Sequence, residues 1–263
     1  MKMNLVWLYP DILNLHGDRG NVMAFKKIAE AMDIELNILK VSTYKDIPDF
    51  FGVDVVYMGA GQLRDLKYVA EDMAHYSDQL KTYVEEDGFV LCTGSTGCIL
   101  GKETKLVNGD SIPSLGILDM TATELNRTKS PMLTKEVYGD DIYWKTSDGL
   151  EIAGCQIQRF DFKLKSTKPF GSLLYGYGNN CTDPVEGARY KNVCFTNTVG
   201  PLLASNPWLG VRILKEAAKR KGKSVSDPGD SLSFMEYAKE GLALKKNFIR
   251  EKNKQDGIIN NPF

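Results

Sequence analysis

One short segment of this chain combines potential nucleophiles with a glycine-rich turn. Residues 89–102 read Phe-Val-Leu-Cys-Thr-Gly-Ser-Thr-Gly-Cys-Ile-Leu-Gly-Lys, an apolar strand followed by small residues and a short apolar helix. Such an elbow exposes a nucleophile at the carboxyl end of the strand, beside backbone N–H groups that stabilise an oxyanion. The same layout also occurs as an ordinary tight turn in many α/β folds. The elbow alone therefore does not decide between catalysis and structure.

Three side chains near this elbow have nucleophilic chemistry. Cys92 lies within the strand, Ser95 on the turn and Cys98 within the helix. We expect Cys92 and Cys98 to face packing rather than a cleft and to be structural thiols. Ser95 can be exposed on the turn, but a hydroxyl needs a stronger base than a thiol does.

The chain has 2 histidines that could act as such a base. His16 follows the first predicted strand, at the sheet edge where open α/β folds bind ligands. A site that joins His16 to Cys92 or Ser95 is therefore one hypothesis. His75 lies in a charged helical segment, where we expect a solvated surface residue.

Two glycine-rich segments resemble phosphate-binding loops without matching them. The segment Gly59-Ala-Gly61 has Arg64 where a dinucleotide fingerprint needs its third glycine. In the second segment Lys102 is followed by Glu103, whereas a P-loop needs Ser or Thr there. We predict no nucleotide or other cofactor, and we find no ligand spacing typical of a metal site.

Hydrophobic patterns place the elbow among alternating strands and helices, which predicts a parallel sheet covered on both faces. We predict strands at residues 4–9, 34–41, 53–58, 89–92 and 193–198, and helices after residue 21 and at 66–86, 98–100 and beyond, 206–218 and 231–252. Between residues 115 and 175 the pattern predicts antiparallel or irregular structure without a helix. We predict one domain at residues 1–252 and a tail at 253–263.

The charge balance limits the classes of partner. The chain has 33 basic and 34 acidic residues, which gives no electrostatic case for nucleic acid or an anionic membrane. Its 5 scattered cysteines are typical of a reducing compartment rather than of a disulfide framework. The apolar run after Met1 stops at Pro10, too short for a signal peptide or a membrane span. We expect a soluble cytoplasmic protein without membrane insertion.

Six segments match a known family in order. They are residues 8–21 (Leu-Tyr-Pro-Asp-Ile-Leu-Asn-Leu-His-Gly-Asp-Arg-Gly-Asn), 59–65 (Gly-Ala-Gly-Gln-Leu-Arg-Asp), 100–102, 175–180 (Tyr-Gly-Tyr-Gly-Asn-Asn), 190–193 (Tyr-Lys-Asn-Val) and 200–203 (Gly-Pro-Leu-Leu). On these segments the chain resembles class I glutamine amidotransferases, namely the GatD-type subunit of lipid II isoglutaminyl synthase and cobyric-acid-synthase-like domains. The first segment is the most specific. The resemblance implies a flavodoxin-like three-layer α/β sandwich, with a mostly parallel sheet and an antiparallel extension.

The family's catalytic residues are not matched in this chain. At the elbow the family has Cys-Gly-Gly-Tyr-Gln, then an aromatic residue or leucine, then Leu-Gly-Lys. Counting back from Lys102 places Gly94 at the nucleophile and Ser95 at the following glycine. The family's catalytic histidine, just before Gly-Pro, corresponds to Val199. Glycine and valine supply neither a thiolate nor a proton acceptor, although glycine suits the strained backbone of such an elbow.

The resemblance also outlines a pocket. It implies oxyanion-hole N–H groups at the loop of residues 59–61, Gln158 in place of a family histidine, and Pro131 in place of a family arginine. The pocket residues that we expect are Gly59, Gly61, Gln62, Arg64, Gly94, Ser95, Gln158 and Val199.

These matches and mismatches lead to two functional hypotheses. The first is a glutaminase-like subunit without glutaminase activity, acting as a binding or structural partner of a Mur-ligase-like synthetase in peptidoglycan synthesis, because family members dock such a partner. The second is an active amidotransferase or another hydrolase with a rearranged nucleophile, Ser95 or Cys92 with His16.

Overall fold

Six strands form the main sheet of the computed structural model, which describes residues 1–125, 139–229 and 233–255. They are β1 (Lys2–Leu8), β2 (Glu35–Val41), β3 (Val55–Met58), β4 (Phe89–Thr93), β12 (Ala188–Tyr190) and β13 (Val193–Thr196). The order across the sheet is β12-β13-β4-β3-β1-β2. Neighbouring strands are parallel, except that β12 runs antiparallel to β13 at one edge. The predicted, mostly parallel sheet is confirmed.

Helices cover both faces of this sheet. Side chains alternate along a strand, so Leu5 and Trp7 pack on one face while Val6 and Leu8 pack on the other. The first face is covered by α1 (Arg19–Ala31), α5 (Leu202–Ser205) and α6 (Pro207–Arg220). The second is covered by α2 (Leu63–Ala74), α3 (Ser77–Glu85) and α4 (Gly97–Leu100). This arrangement is the expected three-layer sandwich.

The middle of the chain forms two further sheets. A sheet of three strands contains β5 (Glu103–Lys105), β6 (Met120–Glu124) and β9 (Phe160–Leu164). A sheet of five antiparallel strands, in the order β11-β10-β7-β8-β14, contains β7 (Gly139–Thr146), β8 (Glu151–Ile157), β10 (Gly171–Tyr175), β11 (Val185–Glu186) and β14 (Thr198–Val199). The predicted antiparallel extension is therefore present as the five-stranded sheet. In the three-stranded sheet β6 and β9 are antiparallel, but β5 and β6 are parallel.

Two predicted elements are interrupted in the structure. The single helix predicted at 66–86 is divided into α2 and α3, because buried Tyr76 leaves helical geometry and its hydroxyl meets that of Tyr9 at 3.0 Å. The strand predicted at 193–198 is interrupted at Asn197, whose buried side chain bonds to Glu186 and Asn179. As a result β13 stays in the main sheet, and β14 pairs with β8.

The last described helix, α7 (Ser233–Gln255), runs past the domain boundary predicted at residue 252. One domain with a tail stays a prediction, and residues 256–263 of that tail lie outside the described part of the chain. Within the described ranges, no helix is both long enough and apolar enough to cross a bilayer.

Candidate functional site

The elbow lies where the sequence places it, at the carboxyl end of β4. A single 3-10 turn over Gly94–Thr96 follows the strand and leads into α4. Gly94 has φ +67°, a left-handed conformation that a residue with a Cβ adopts only with strain. An ideal Cβ at Gly94 would lie 2.8 Å from Cγ1 of Val199 and 2.9 Å from Cβ of Ala60. The tip of the elbow is therefore closed by two apolar side chains.

Val199 belongs to the five-stranded sheet and packs against Gly94. It lies in β14, opposite Cys155 of β8, and only 4% of it is exposed. The fold thus brings together the two positions that the resemblance equates with nucleophile and base. Neither position carries a group that could attack an amide or accept a proton.

A buried polar cluster lies beneath the elbow. Asp18 is fully buried, and its Oδ1 accepts hydrogen bonds from Tyr57 Oη at 3.0 Å and Thr93 Oγ1 at 3.0 Å. Asn21 donates to Tyr57 Oη at 2.7 Å and accepts from the backbone N–H of Leu203 at 2.9 Å. Burial and, secondly, the Asp18 carboxyl raise the pKa of Tyr57 well above its ordinary value, so this hydroxyl stays a neutral donor. These hydrogen bonds connect residues 8–21 to β3, β4 and α5.

The loop of residues 59–61 packs tightly against the same segment. An ideal Cβ at Gly59 would lie 2.3 Å from the carbonyl oxygen of Leu13, so only glycine fits there. Ser95 Oγ donates to the carbonyl of Gly61 at 2.7 Å, and the N–H of Gly61 donates to Ser95 Oγ at 3.2 Å. The Gly61 amide, which we expected to face an oxyanion, is already bonded to Ser95.

Two other residues predicted for this pocket face solvent. Gln62 and Arg64 are both exposed, at the start of α2. Arg64 forms an ion pair with its neighbour Asp65 at 3.6 Å.

The two thiols beside the elbow are packed, as predicted. Cys92 and Cys98 are both 0% exposed, and Cys92 Sγ lies 3.2 Å from Thr96 Oγ1. Burial raises the pKa of the Cys92 thiol to about 12 and that of Cys98 well above its ordinary value. Since the thiolate is the nucleophilic form, both side chains are inert at neutral pH.

His16 does not complete a rearranged site. It is half-buried, and its backbone N–H donates to Asp18 Oδ2 at 3.2 Å. Burial lowers the pKa of its imidazole, against an opposing effect of Asp18. Among the described residues, neither Cys92 nor Ser95 is a hydrogen-bond partner of this imidazole. His75 is exposed and stacks on Tyr44, with ring centroids 4.2 Å apart.

Gln158, which the resemblance places in the pocket, is a buried residue in this structure. This residue is 8% exposed, and its Nε2 donates to the carbonyls of Phe160 and Asn179, both at 2.9 Å. Its Oε1 accepts from Gln156 Nε2 at 3.0 Å, so Gln158 belongs to a buried amide network. Pro131, the position of the expected family arginine, lies outside the described residues.

An open cavity of about 430 Å³ lies between Val199 and α7. Its lining includes Val199, Gly200 and Cys155 on one wall and Tyr237 and Gly241 of α7 on the other. Of the residues predicted for the pocket, only Val199 lines this cavity. The described residues also contain no group of three or more His, Cys, Asp or Glu side chains that could hold a metal ion.

Sequence reasoning missed both the polar cluster and the role of Ala60. The signal for the cluster was available, since Asp18 and Asn21 belong to the most specific matching segment and are polar residues beside predicted strands. Ala60 carries no comparable signal. A methyl group blocks the elbow only because two loops distant in the chain meet there.

No family model matches the chain. It is 29% identical over 246 residues to the GatD subunit of the glutamine-hydrolyzing lipid II isoglutaminyl synthase of Streptococcus pneumoniae, covering 93% of this chain and 92% of that one. It is 30% identical over 224 residues to the corresponding GatD subunit of Staphylococcus aureus, covering 84% of this chain and 86% of that one.

Solved structures show the same fold. A glutamine amidotransferase aligns with a TM-score of 0.54 at 19% identity, over 81% of this chain and 98% of its own. The glutaminase domain of Trypanosoma brucei CTPS with bound acivicin aligns with a TM-score of 0.51 at 10% identity, over 86% of this chain and 96% of its own.

Proposed function

The chain belongs to the GatD family of lipid II isoglutaminyl synthase subunits, and on that premise we propose that it is a member that no longer hydrolyses glutamine. Its role is that of a binding or structural subunit. It acts in peptidoglycan synthesis, in the cytoplasm, as the partner of a Mur-ligase-like synthetase.

The contact between Gly94 and Val199 carries this proposal. Amide hydrolysis by this class needs a thiolate and an adjacent base that activates it. At the elbow a Cβ would lie 2.8 Å from Val199 and 2.9 Å from Ala60, so even the space for a nucleophilic side chain is filled. Neither Ser95 nor Cys92 is placed to act as a substitute nucleophile. The Ser95 hydroxyl is hydrogen-bonded to Gly61, and the Cys92 thiol is buried beside Thr96.

The partner is inferred from the relatives, both of which are named as subunits of a synthase. The buried hydrogen bonds from Tyr57 and Thr93 to Asp18 hold the elbow in place. These contacts support a structural role that does not depend on glutamine hydrolysis. The net charge of -1 favours a protein partner over nucleic acid or an anionic membrane.

A glutaminase assay tests this function. We expect the purified chain to release no glutamate from glutamine above the uncatalysed rate, alone or with the Mur-ligase-like synthetase of the same genome. The physical reason is that losing nucleophile and base together removes most of the roughly 10⁶-fold or larger acceleration that enzymes supply. The GatD of Streptococcus pneumoniae with its own partner is the positive control.

The two halves of the proposal fail separately. Glutamate release that survives Cys92→Ala and Cys98→Ala would contradict the inactive site, and its loss in Ser95→Ala would establish the rearranged hydrolase instead. Failure of the chain to co-elute with the synthetase in size-exclusion chromatography would contradict the partner.

A further inference from the structure

The cavity between Val199 and α7 has a glycine on its helical wall. Six residues of α7 line the cavity from one side of the helix: Phe234, Tyr237, Ala238, Gly241, Leu242 and Lys245. An ideal Cβ at Gly241 would meet no atom within 4 Å, so a side chain there would extend into open space. Glycine is less favourable than alanine inside a helix, so helix formation does not explain this residue.

The wall opposite α7 is formed by β8 and β14. Cys155 of β8 pairs with Val199 of β14, and both residues line the cavity. Cys155 is exposed and lies on the same face of β8 as Ala153, which packs against Ile249 of α7. Gly94 does not line the cavity. The cavity is therefore a different site from the elbow, although Val199 contacts both.

The volume and the lining of the cavity are typical of a site for a small apolar molecule. Its volume of about 430 Å³ lies within the range of small-molecule sites, about 300–1,000 Å³. Most of the lining side chains are apolar, including Leu202, Phe234 and Leu242. Ser205 and Tyr237 add hydroxyl groups, which can donate or accept a hydrogen bond. Such sites hold a mostly apolar molecule and orient it by a few polar contacts.

The charges of the lining favour an uncharged molecule. Among the described residues of the cavity wall, Lys245 is the only Lys, Arg, Asp or Glu. Its Nζ lies 2.6 Å from Oδ1 of Asp141 and donates to the carbonyl of Gly154 at 3.0 Å. An anionic molecule would therefore compete with Asp141 for an ammonium that is already paired, and a cationic one would meet no carboxylate in the lining. Burial of an unpaired charge is costly.

We propose that this cavity binds a small uncharged molecule that is mostly apolar and carries a hydroxyl or carbonyl group. Its apolar part packs between Val199 and Gly241, and its polar group bonds to Ser205 or Tyr237. Glutamine carries both an ammonium and a carboxylate, so it does not meet this description. The inference goes beyond the proposed function and does not depend on it, because Gly94 lies outside the lining.

Protection of Cys155 from alkylation by iodoacetamide tests the proposal in the full chain, with peptide mapping to give the rate at each cysteine. The probes are 1-octanol, octanoate and octylamine, which share one alkyl chain and differ in charge. We expect 1-octanol at about 2 mM to slow alkylation of Cys155 about threefold, which corresponds to a dissociation constant of about 1 mM. Octanoate, octylamine and glutamine at the same concentration should leave the rate unchanged.

Cys181 is the matched control within the same chain. It is also exposed, but it does not line the cavity. Burial and, secondly, the Asp161 carboxyl raise the pKa of the Cys181 thiol to about 11, so it reacts slowly. Each thiol is therefore compared with its own rate in the absence of a probe. Equal slowing at both cysteines would contradict binding in the cavity.

Gly241→Leu tests where the probe binds. A leucine side chain at position 241 extends towards the cavity from a Cβ that meets no atom within 4 Å, and leucine favours the helix, so the unfolding temperature should not fall. The protection of Cys155 by 1-octanol should be lost. Ala243→Leu is the matched control, because Ala243 is exposed and lies about 200° around α7 from Gly241. This variant should keep the full protection.

Three other results would overturn the proposal. An unchanged rate at Cys155 up to the solubility limit of 1-octanol would mean that the cavity does not take an uncharged apolar molecule. Protection by octanoate, octylamine or glutamine as strong as that by 1-octanol would exclude an uncharged ligand as the preferred class. Protection that survives Gly241→Leu would place the bound octanol outside the cavity.

Discussion

At the scale of single residues, the contact of Gly94 with both Val199 and Ala60 determines what restoration of the chemistry requires. Replacing Gly94 and Val199 by the family residues supplies a thiol and an imidazole. It leaves the new Cβ 2.9 Å from Cβ of Ala60. Cβ atoms essentially never approach that closely, so the loop or the elbow would have to move. The left-handed backbone at Gly94 adds strain of about 1–3 kcal/mol.

We therefore predict that Gly94→Cys with Val199→His does not produce an activated cysteine, but that the same pair with Ala60→Gly does. In the triple variant a thiol meets an imidazole, and the apparent pKa of the new cysteine should fall below the ordinary thiol value of about 8.5. The measurement is the pH dependence of alkylation, followed peptide by peptide by mass spectrometry.

Gly94→Cys alone is the control for that series and should show no depressed pKa, because Val199 cannot hold a proton. A depressed pKa in the double variant would mean that Ala60 is no obstacle. An ordinary cysteine pKa in the triple variant would show that a histidine at position 199 does not interact with a thiol at position 94.

At the scale of elements, Asp18 is the residue that joins the first loop to β3 and β4. Its Oδ1 accepts from Tyr57 and Thr93, both at 3.0 Å, inside the protein. Asp18→Ala removes this acceptor from two buried hydroxyl groups, and leaving a buried donor unsatisfied costs about 1–3 kcal/mol. We predict a loss of about 3 kcal/mol in the free energy of unfolding, measured as a lower urea midpoint at an unchanged slope.

Asp11→Ala is the matched control for this prediction. Asp11 lies in the same loop and has the same side chain, but it is exposed. Its substitution should change the free energy of unfolding by no more than about 0.5 kcal/mol. Equal effects of the two substitutions would show that the polar cluster does not hold the elbow in place.

Most elements could be predicted from the sequence, because apolar periodicity is a local signal. Five of the six main-sheet strands and α1 and α6 lie close to their predicted ranges, whereas the short edge strand β12 was not predicted. The break at Tyr76 and the change of sheet at Asn197 could not be predicted, since both depend on partners distant in the chain. Tertiary hydrogen bonds of buried side chains decide such boundaries.

The site was predictable in position rather than in contacts. The matching segments on either side aligned Gly94 and Val199 with two positions of one site. In the structure these two residues lie side by side. The sequence does not show that the Gly61 amide bonds to Ser95, or that Gln158 turns into a buried amide network. Those contacts depend on which short side chains meet when three sheets pack together.

At the scale of the whole molecule, the chain has the amidotransferase fold, and the proposal is that it has lost the chemistry. A solved glutamine amidotransferase aligns over 81% of this chain, and a solved glutaminase domain aligns over 86% of it. Fold does not determine activity, which depends on groups at the site. In this chain Ala60 and Val199 lie against Gly94, the position that the resemblance equates with the nucleophile.

The most direct test of this account is mass spectrometry after incubation with an electrophilic glutamine analogue at pH 7.5. Such analogues trap the nucleophilic cysteine of active family members. We predict that peptide mapping of the treated chain shows no label on Cys92 or Ser95 at stoichiometric reagent, because no thiol lies at Gly94 and burial raises the pKa of Cys92 to about 12. One equivalent of label on Cys92, or on Ser95, would contradict the central claim that this elbow holds no nucleophile.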